Sequence, residues 1–336
     1  MGDIFSILKK DKNEMFSQLS KMDLKYFLCL LNDYKLELRD SLELSEKETF
    51  GLEIEVEESD NFTIKNNISN GWYLTEDITL YNGIEICSPI LHDNFATWQM
   101  VDQICQMVNQ SALIDTNCGA HVHIGSQTLG NDFDNWEKFF NLWEAYEHII
   151  FRFCYGQYLT HRPNILDYAQ PTSLMYTNNF QFYRRYTNYT LKQIFDEIGY
   201  NCNLAVSVFN LSTFNNLNYW KEDFGRFHYG NTIEFRCANG TLNPIIWQNY
   251  VNLYFKILNY SKSNNYNFDL IKNRLKTNAN LLKNIEFFDY IYLKQALEFS
   301  DLIFDNNLDK VYFLKQYLKD FKIEESYYTR TRNFTK

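Results

Sequence analysis

The chain has 336 residues, 45% of them hydrophobic and 22% charged, proportions ordinary for a globular protein with room for a sizeable core. A formal net charge of −10 argues against a nucleic-acid backbone or an anionic membrane surface as the main partner. No apolar run reaches the roughly 18 residues of a membrane span, and Cys29, Cys87, Cys105, Cys118, Cys154, Cys202 and Cys237 show neither Cys-x-x-Cys nor zinc-finger spacing. With no secretory pattern at the start, reduced thiols and a cytoplasmic location are expected.

Residues 1–45 read as helix, because Phe5, Leu8, Met15, Phe16, Leu19, Leu24, Phe27, Leu28 and Leu31 recur mostly at three- and four-residue steps. At 48–58 the pattern switches to period two. From there to about residue 126, short alternating runs separated by Asn, Gly and Asp predict strands, with a helix over 94–110. Residues 132–160 predict a long aromatic helix whose Trp136–Trp143 stripe is core. The stretch 160–200 is loop-rich and holds Arg162, Arg184 and Arg185. Strand periodicity returns at 202–211 and 230–238, and Pro244 in a first turn opens a helix over 243–260. Helix resumes to about residue 324. The expected class is α+β, with a helical N-terminal segment (1–45), a core (46–260) and a helical C-terminal segment (261–336).

Four period-two segments share one chemistry. In GLEIEVE, Leu52, Ile54 and Val56 oppose Glu53, Glu55 and Glu57; in NGIEICSP, Ile84 and Ile86 oppose Glu85 and Cys87. In AHVHIG, Val122 and Ile124 oppose His121 and His123; in NTIEFRC, Ile233 and Phe235 oppose Thr232, Glu234 and Arg236. Such alternation usually marks a sheet face in water, yet none of the four segments contains lysine. If the strands are neighbours, each carboxylate pair repels by about 3 kcal/mol at 5 Å and an effective dielectric near 20. Divalent cations would resolve that repulsion, and mostly oxygen donors favour Mg²⁺ or Mn²⁺. His121 and His123 can bind a metal, contact a phosphate or do neither. Glu57 is expected at the surface, His148 and His161 carry no motif, and Arg162, Arg184 and Arg185 read as solvated loop residues or as phosphate or substrate clamps.

Phe-Gly-Leu-Glu-Ile-Glu (50–55), the acidic pair Asp77 and Glu85, Gly-Ala-His-Val-His (119–123) and Ile-Glu-Phe-Arg (233–236) occur in an order that resembles the amidoligase family of glutamine-synthetase-like carboxylate–amine ligases. The resemblance covers about residues 48–255. It implies an antiparallel sheet funnel flanked by helices, with ATP and Mg²⁺ (or Mn²⁺) at one mouth and an acyl-phosphate intermediate on the way to a peptide or isopeptide amide. It implies one metal site of Glu55, Asp77 and Glu85 and a second of Glu53, His121 and Glu234. His123 and Arg236 become phosphate contacts, and with Glu234 they form the catalytic group. Asn117 and Gly119 complete the ligand-binding set, where the carboxylate substrate is held. The expected partners are a small-molecule or peptide carboxylate and an amine acceptor, with room for a homo-oligomer. Two other readings stay open: a single-metal cupin-like protein or hydrolase built on His121 and His123, and a catalytically inactive nucleotide-binding relative.

Overall fold

Leu52, Ile54 and Val56 are fully buried, and their alternation with three glutamates places β1 (Phe50–Val56) with one dry face and one polar face. The computed structural model describes residues 24–69, 71–130, 132–174, 203–208 and 232–321. Among them, β1 joins β2 (Tyr73–Thr75), β3 (Ile84–Cys87), β4 (Gly119–Gly125), β5 (Val206–Ser207) and β6 (Thr232–Asn239) in one open antiparallel sheet of order β2-β3-β1-β4-β6-β5. The four motif-bearing strands are therefore consecutive neighbours.

Nine helices among the described residues complete the fold. They are α1 (Leu24–Asp33), α2 (Asn61–Asn67), α3 (Phe95–Val108), α4 (Phe133–Cys154), α5 (Ile165–Tyr168), α6 (Pro244–Ser261), α7 (Phe268–Asn278), α8 (Leu293–Ile303) and α9 (Asn307–Tyr317). Phe50 stacks on Trp98 of α3 with ring centroids 5.4 Å apart and meets Phe255 of α6 edge-on. Phe235 stacks on Tyr254 of α6 at 4.1 Å and packs against Trp143 and Phe139 of α4. The aromatic stripe of α4 is core, as its spacing predicts. Scattered asparagines begin many of these helices: Asn94, Asn243, Asn267 and Asn306 each accept a backbone N–H of the first turn, an interaction worth about 1 kcal/mol apiece. Gly156, at φ 60°, takes the left-handed conformation after α4 and donates to Phe153 O.

The helix expected through residue 45 stops at Asp33; residues before 24 lie outside the described part. Residues 34–44 run without regular structure because other groups claim their backbone. Asp93 accepts from Leu42 N, Leu44 N and Ser41 Oγ, Gln248 from Arg39 N, and Tyr312 Oη from Glu37 N. The C-terminal helices are no appendage: α7, α8 and α9 pack on α4, and one contiguous apolar core runs from Leu31 to Phe321. Among the described residues, no helix is long and apolar enough to cross a membrane.

Phe235 connects the sheet to both covering helices and is fully buried. Phe235→Ala is expected to lower unfolding free energy by about 3–5 kcal/mol in a urea titration, through lost burial and an unfilled cavity. A loss below about 1 kcal/mol would show that the site collapses instead of leaving a cavity.

Candidate functional site

Strand register assembles the polar face. Glu53 lies opposite Cys87 on one side and His121 on the other, and Glu55 lies opposite Glu85. His123 pairs with Glu234 across β4 and β6. Between Ala120 and Val122 the register of β6 slips by one residue, so Arg236 and Cys237 together oppose His121. Arg236 follows Glu234 on the polar face, and the slip brings Ala238 opposite Ala120. Cys237, in step with Ile233 and Phe235, faces the helices, where its Sγ lies 3.9 Å from Tyr254 Oη.

The side chains interlock. His121 Nδ1 is 3.1 Å from Glu53 Oε2, and its Nε2 is 3.1 Å from Glu55 Oε1. Glu85 Oε1 and Glu234 Oε1 each lie 3.8 Å from His121 Nδ1. His123 Nε2 is 2.8 Å from Glu53 Oε1, while its Nδ1 meets Thr232 Oγ1 at 3.1 Å. Arg236 holds Glu234 through Nη1 and donates from Nε to Tyr168 O. Arg162, only 4% exposed, approaches Glu55 Oε2 and donates from Nη2 to Arg236 O.

Charge is distributed unevenly in this crowd. Burial pushes the Glu85 carboxyl up to about 10, helped by the charges of Glu53, Glu55 and Asp77 and a hydrogen bond to Glu53. Burial also acts to raise Glu53, but the His123 charge and hydrogen bonds from both imidazoles outweigh it and hold that carboxyl well below the usual range. His123 loses basicity to burial yet gains more from Glu53 and Glu234, so its imidazole is raised above its ordinary value.

Among the described residues, three sets of side chains bring potential ligand atoms within 4.8 Å of one another: Glu53 with His121 and Glu234, Glu55 with Glu85 and His121, and Glu53 with Glu85 and Cys87. Oxygen-rich, imidazole-containing sets of this kind suit Mg²⁺ or Mn²⁺. Four carboxylates crowded around His121 form a donor set that a divalent cation would neutralise, so the residues fit the group.

The grouping expected of Glu53, His121 and Glu234 is present. The other differs: His121, not Asp77, stands with Glu55 and Glu85. Asp77 sits on the β2–β3 connection, where its Oδ1 accepts from Thr79 N and Thr79 Oγ1, and it reaches Glu85 only through its charge. Asn117 donates to Glu57 Oε1 at 3.4 Å, and Gly119 N to Glu55 Oε2 at 2.5 Å, so both engage carboxylates of the protein itself. Glu57 is buried, not at the surface, because its carboxylate also accepts from Tyr81 N and fixes that turn. His148 is core, bonded to Gln295 and drawn down by burial to about 3, whereas His161 is 3.5 Å from Asp289.

Sequence reasoning left Arg162 between a solvated loop residue and a phosphate or substrate clamp, and its contacts are instead with Glu55 and the backbone of Arg236. Cys87 was placed on the polar face but given no role, and it joins one of the groupings with Glu53 and Glu85. Cys118 is buried nearby, its thiol pushed up to about 12 mainly by burial. Every cysteine among the described residues is free. Arg184 and Arg185 lie outside the described residues.

The Glu85 shift fixes a pH dependence. Its folded-state value of about 10 lies above the roughly 4.3 of an unfolded glutamate. Between those values the folded state holds a proton that the unfolded state has released. This contribution to stability is present at low pH and lost as pH rises, by up to about 1.4 kcal/mol per unit. Metal-free Glu85→Gln should therefore show a flatter decline of urea stability between about pH 6 and 9 than the parent protein. Parallel pH profiles for the two proteins would contradict a protonated Glu85.

Two comparisons bear on what this face belongs to. No curated protein matches the chain. A family model described as "putative amidoligase enzyme" matches residues 31–258, about two thirds of the sequence and all six strands. The strand motifs and their register thus sit inside the matched region, and the chain belongs to this amidoligase family, a family of ligase-type enzymes.

Proposed function

We propose that the protein is an ATP-dependent carboxylate–amine ligase that forms a peptide or isopeptide amide through an acyl phosphate. The observation carrying this reading is the convergence of Glu53, Glu55, Glu85, Glu234 and His121 from four adjacent strands, with groupings of their ligand atoms inside 4.8 Å. Family membership supplies the reaction class. In this reading Glu53, His121 and Glu234 hold one divalent cation and Glu55, Glu85 and His121 serve a second, Mg²⁺ or Mn²⁺. Bound there, the cations would neutralise phosphate charge and act as Lewis acids.

The chain's own residues have definable tasks. Arg236 is fixed by Glu234 and Tyr168 O, which aims a permanent cation at charge developing on the transferred phosphoryl group. His123, raised in basicity and steadied by Thr232, donates a proton-bearing nitrogen to a phosphate oxygen. The substrate carboxylate attacks the γ-phosphorus as the bond to ADP breaks. The amine then attacks the acyl carbon, phosphate departs with its bridging oxygen, and the amine's proton passes to solvent or a site carboxylate. In this reading the amine acceptor is not ammonia, because nothing in the sequence matches an ammonia-specific pocket.

A cupin-like centre would need His121 and His123 on one ion, and His123 enters none of the three groupings among the described residues.

The test is ADP release in a screen of amino acids and peptides with Mg²⁺ or Mn²⁺. Release should require both an acid and an amine, and Glu53→Ala and Glu234→Ala should each abolish it. Nucleotide binding without turnover across a broad screen would favour an inactive relative. His121→Ala is expected to raise the metal requirement strongly. His123→Ala should spare metal affinity and cost about 1–3 kcal/mol in use of ATP, the size of a charge-assisted hydrogen bond. Metal titration and ATP kinetics on both variants separate the roles, and identical phenotypes would return them to one centre.

A further inference from the structure

Gly119 is the first residue of β4, and its register partner is Asn239 of β6. Asn239 Nδ2 donates to Thr160 O at 2.9 Å, which pins the α4–α5 connection to the end of the sheet. Two residues later that connection delivers the Arg162 guanidinium over Gly119. A β-carbon built on Gly119 would overlap Arg162 Nη1, and it would lie 3.0 Å from Arg162 Cζ and 3.1 Å from Glu55 Oε2. Glycine is needed here for close approach, not for backbone conformation.

Glu55 is consequently divided. Its Oε2 accepts from Gly119 N at 2.5 Å and faces Arg162 Nη1 at 3.7 Å, while its Oε1 stands 3.1 Å from His121 Nε2. The second arm of the same guanidinium donates to Arg236 O at 2.9 Å, within the bulge opposite His121. One planar fork thereby ties a β1 carboxylate to the β6 bulge, which a lysine ammonium cannot do with the same geometry.

We infer that Arg162 is a positioning residue for the candidate metal centre and that Gly119 lacks a side chain in order to admit it. Together they occupy Glu55 Oε2, so that only Oε1 is offered to the centre, and they fix the bulge that carries Arg236. The inference rests on the reading of Glu55 as a metal-site carboxylate, and it reassigns Gly119 from substrate contact to support.

Mn²⁺ binding to the full-length protein, followed by the loss of free-ion electron paramagnetic resonance signal, reads this role without any turnover. The parent protein should bind, and Glu55→Gln should bind weakly. Arg162→Met should weaken Mn²⁺ binding by about tenfold to a hundredfold, as for other residues that orient ligands, with Arg162→Lys in between. Gly119→Ala should resemble Arg162→Met. The double variant should be little worse than either single one, because the alanine methyl then has no guanidinium to displace. Cooperative thermal unfolding confirms that each variant is folded, and Arg162→Lys and Gly119→Ala carry the test if Arg162→Met fails to fold. Parent-like Mn²⁺ affinity in folded Arg162 variants, with Glu55→Gln still impaired, overturns the inference and leaves the metal reading intact. Strictly additive losses overturn the role given to Gly119. Absence of Mn²⁺ binding by the parent protein overturns both the reading and the inference.

Discussion

The pairing of β1 with β3 and β4 is the constraint on which everything else depends. Leu52, Ile54 and Val56 must face the helices, so Glu53 and Glu55 must face away, and a one-residue slip would exchange the two sets. The neighbouring strands obey the same rule through Ile84 and Ile86, Val122 and Ile124, and Ile233 and Phe235. The apolar core thus fixes which side chains converge on the polar face, and hydrophobic burial positions the chemistry. Direct cross-strand pairing of Glu55 with Glu85 costs stability by itself, and none of the four strands holds a lysine to offset it.

Neutralisation inside the cluster is divided, not shared evenly. Glu53 takes the attention of both imidazoles and stays ionised, whereas Glu85, on the β3 side and farther from His123, keeps its proton. A cation entering between Glu55, Glu85 and His121 would have to displace that proton, so metal affinity on this side is linked to pH. The side nearer Glu234 is differently balanced, because Arg236 already compensates Glu234. The two ends of the cluster thus differ in electrostatics.

The polar face was legible because period-two alternation reports facing directly, and the motifs themselves showed which strands bring carboxylates and imidazoles to it. What stayed hidden arises from tertiary structure. Arg162 sits in a connection without periodicity, and long-range bonds such as Asn239 to Thr160 O and its own donation to Arg236 O hold it over Gly119. The bulge at Arg236 and Cys237 leaves the alternation of residues 232–237 unchanged and shows only beyond it, where Ala238 pairs with Ala120 and both are buried, so it could not be read from the motif. Glu57 continues the glutamate series but lies past the last β1–β3 pair, where its carboxylate serves the Tyr81 turn. Residues 34–44 have enough apolar content for a helix, but distant side chains outbid helical hydrogen bonds for their backbone.

The C-terminal helices lie beyond the family match, yet they bear on the site through α4. One side of α4 covers the sheet with Phe139 and Trp143; the other carries Tyr146, which packs on Phe299, and Phe153, which stacks on Phe313. Arg152 donates to Tyr317 O and Asp289 O, and Gln316 to Phe153 O, so polar bonds fasten the same contact. Within α4, Glu147 accepts from Trp143 Nε1 and from the backbone N–H groups of Thr172 and Ser173. That grip holds the end of the segment that presents Tyr168 O to Arg236 Nε. The outer helices therefore brace α4, α4 braces the 168–173 segment, and the segment braces the guanidinium aimed at the site. Residues remote from the motifs are part of what keeps Arg236 in place, because a long charged side chain over a polar face has no packing of its own to fix it.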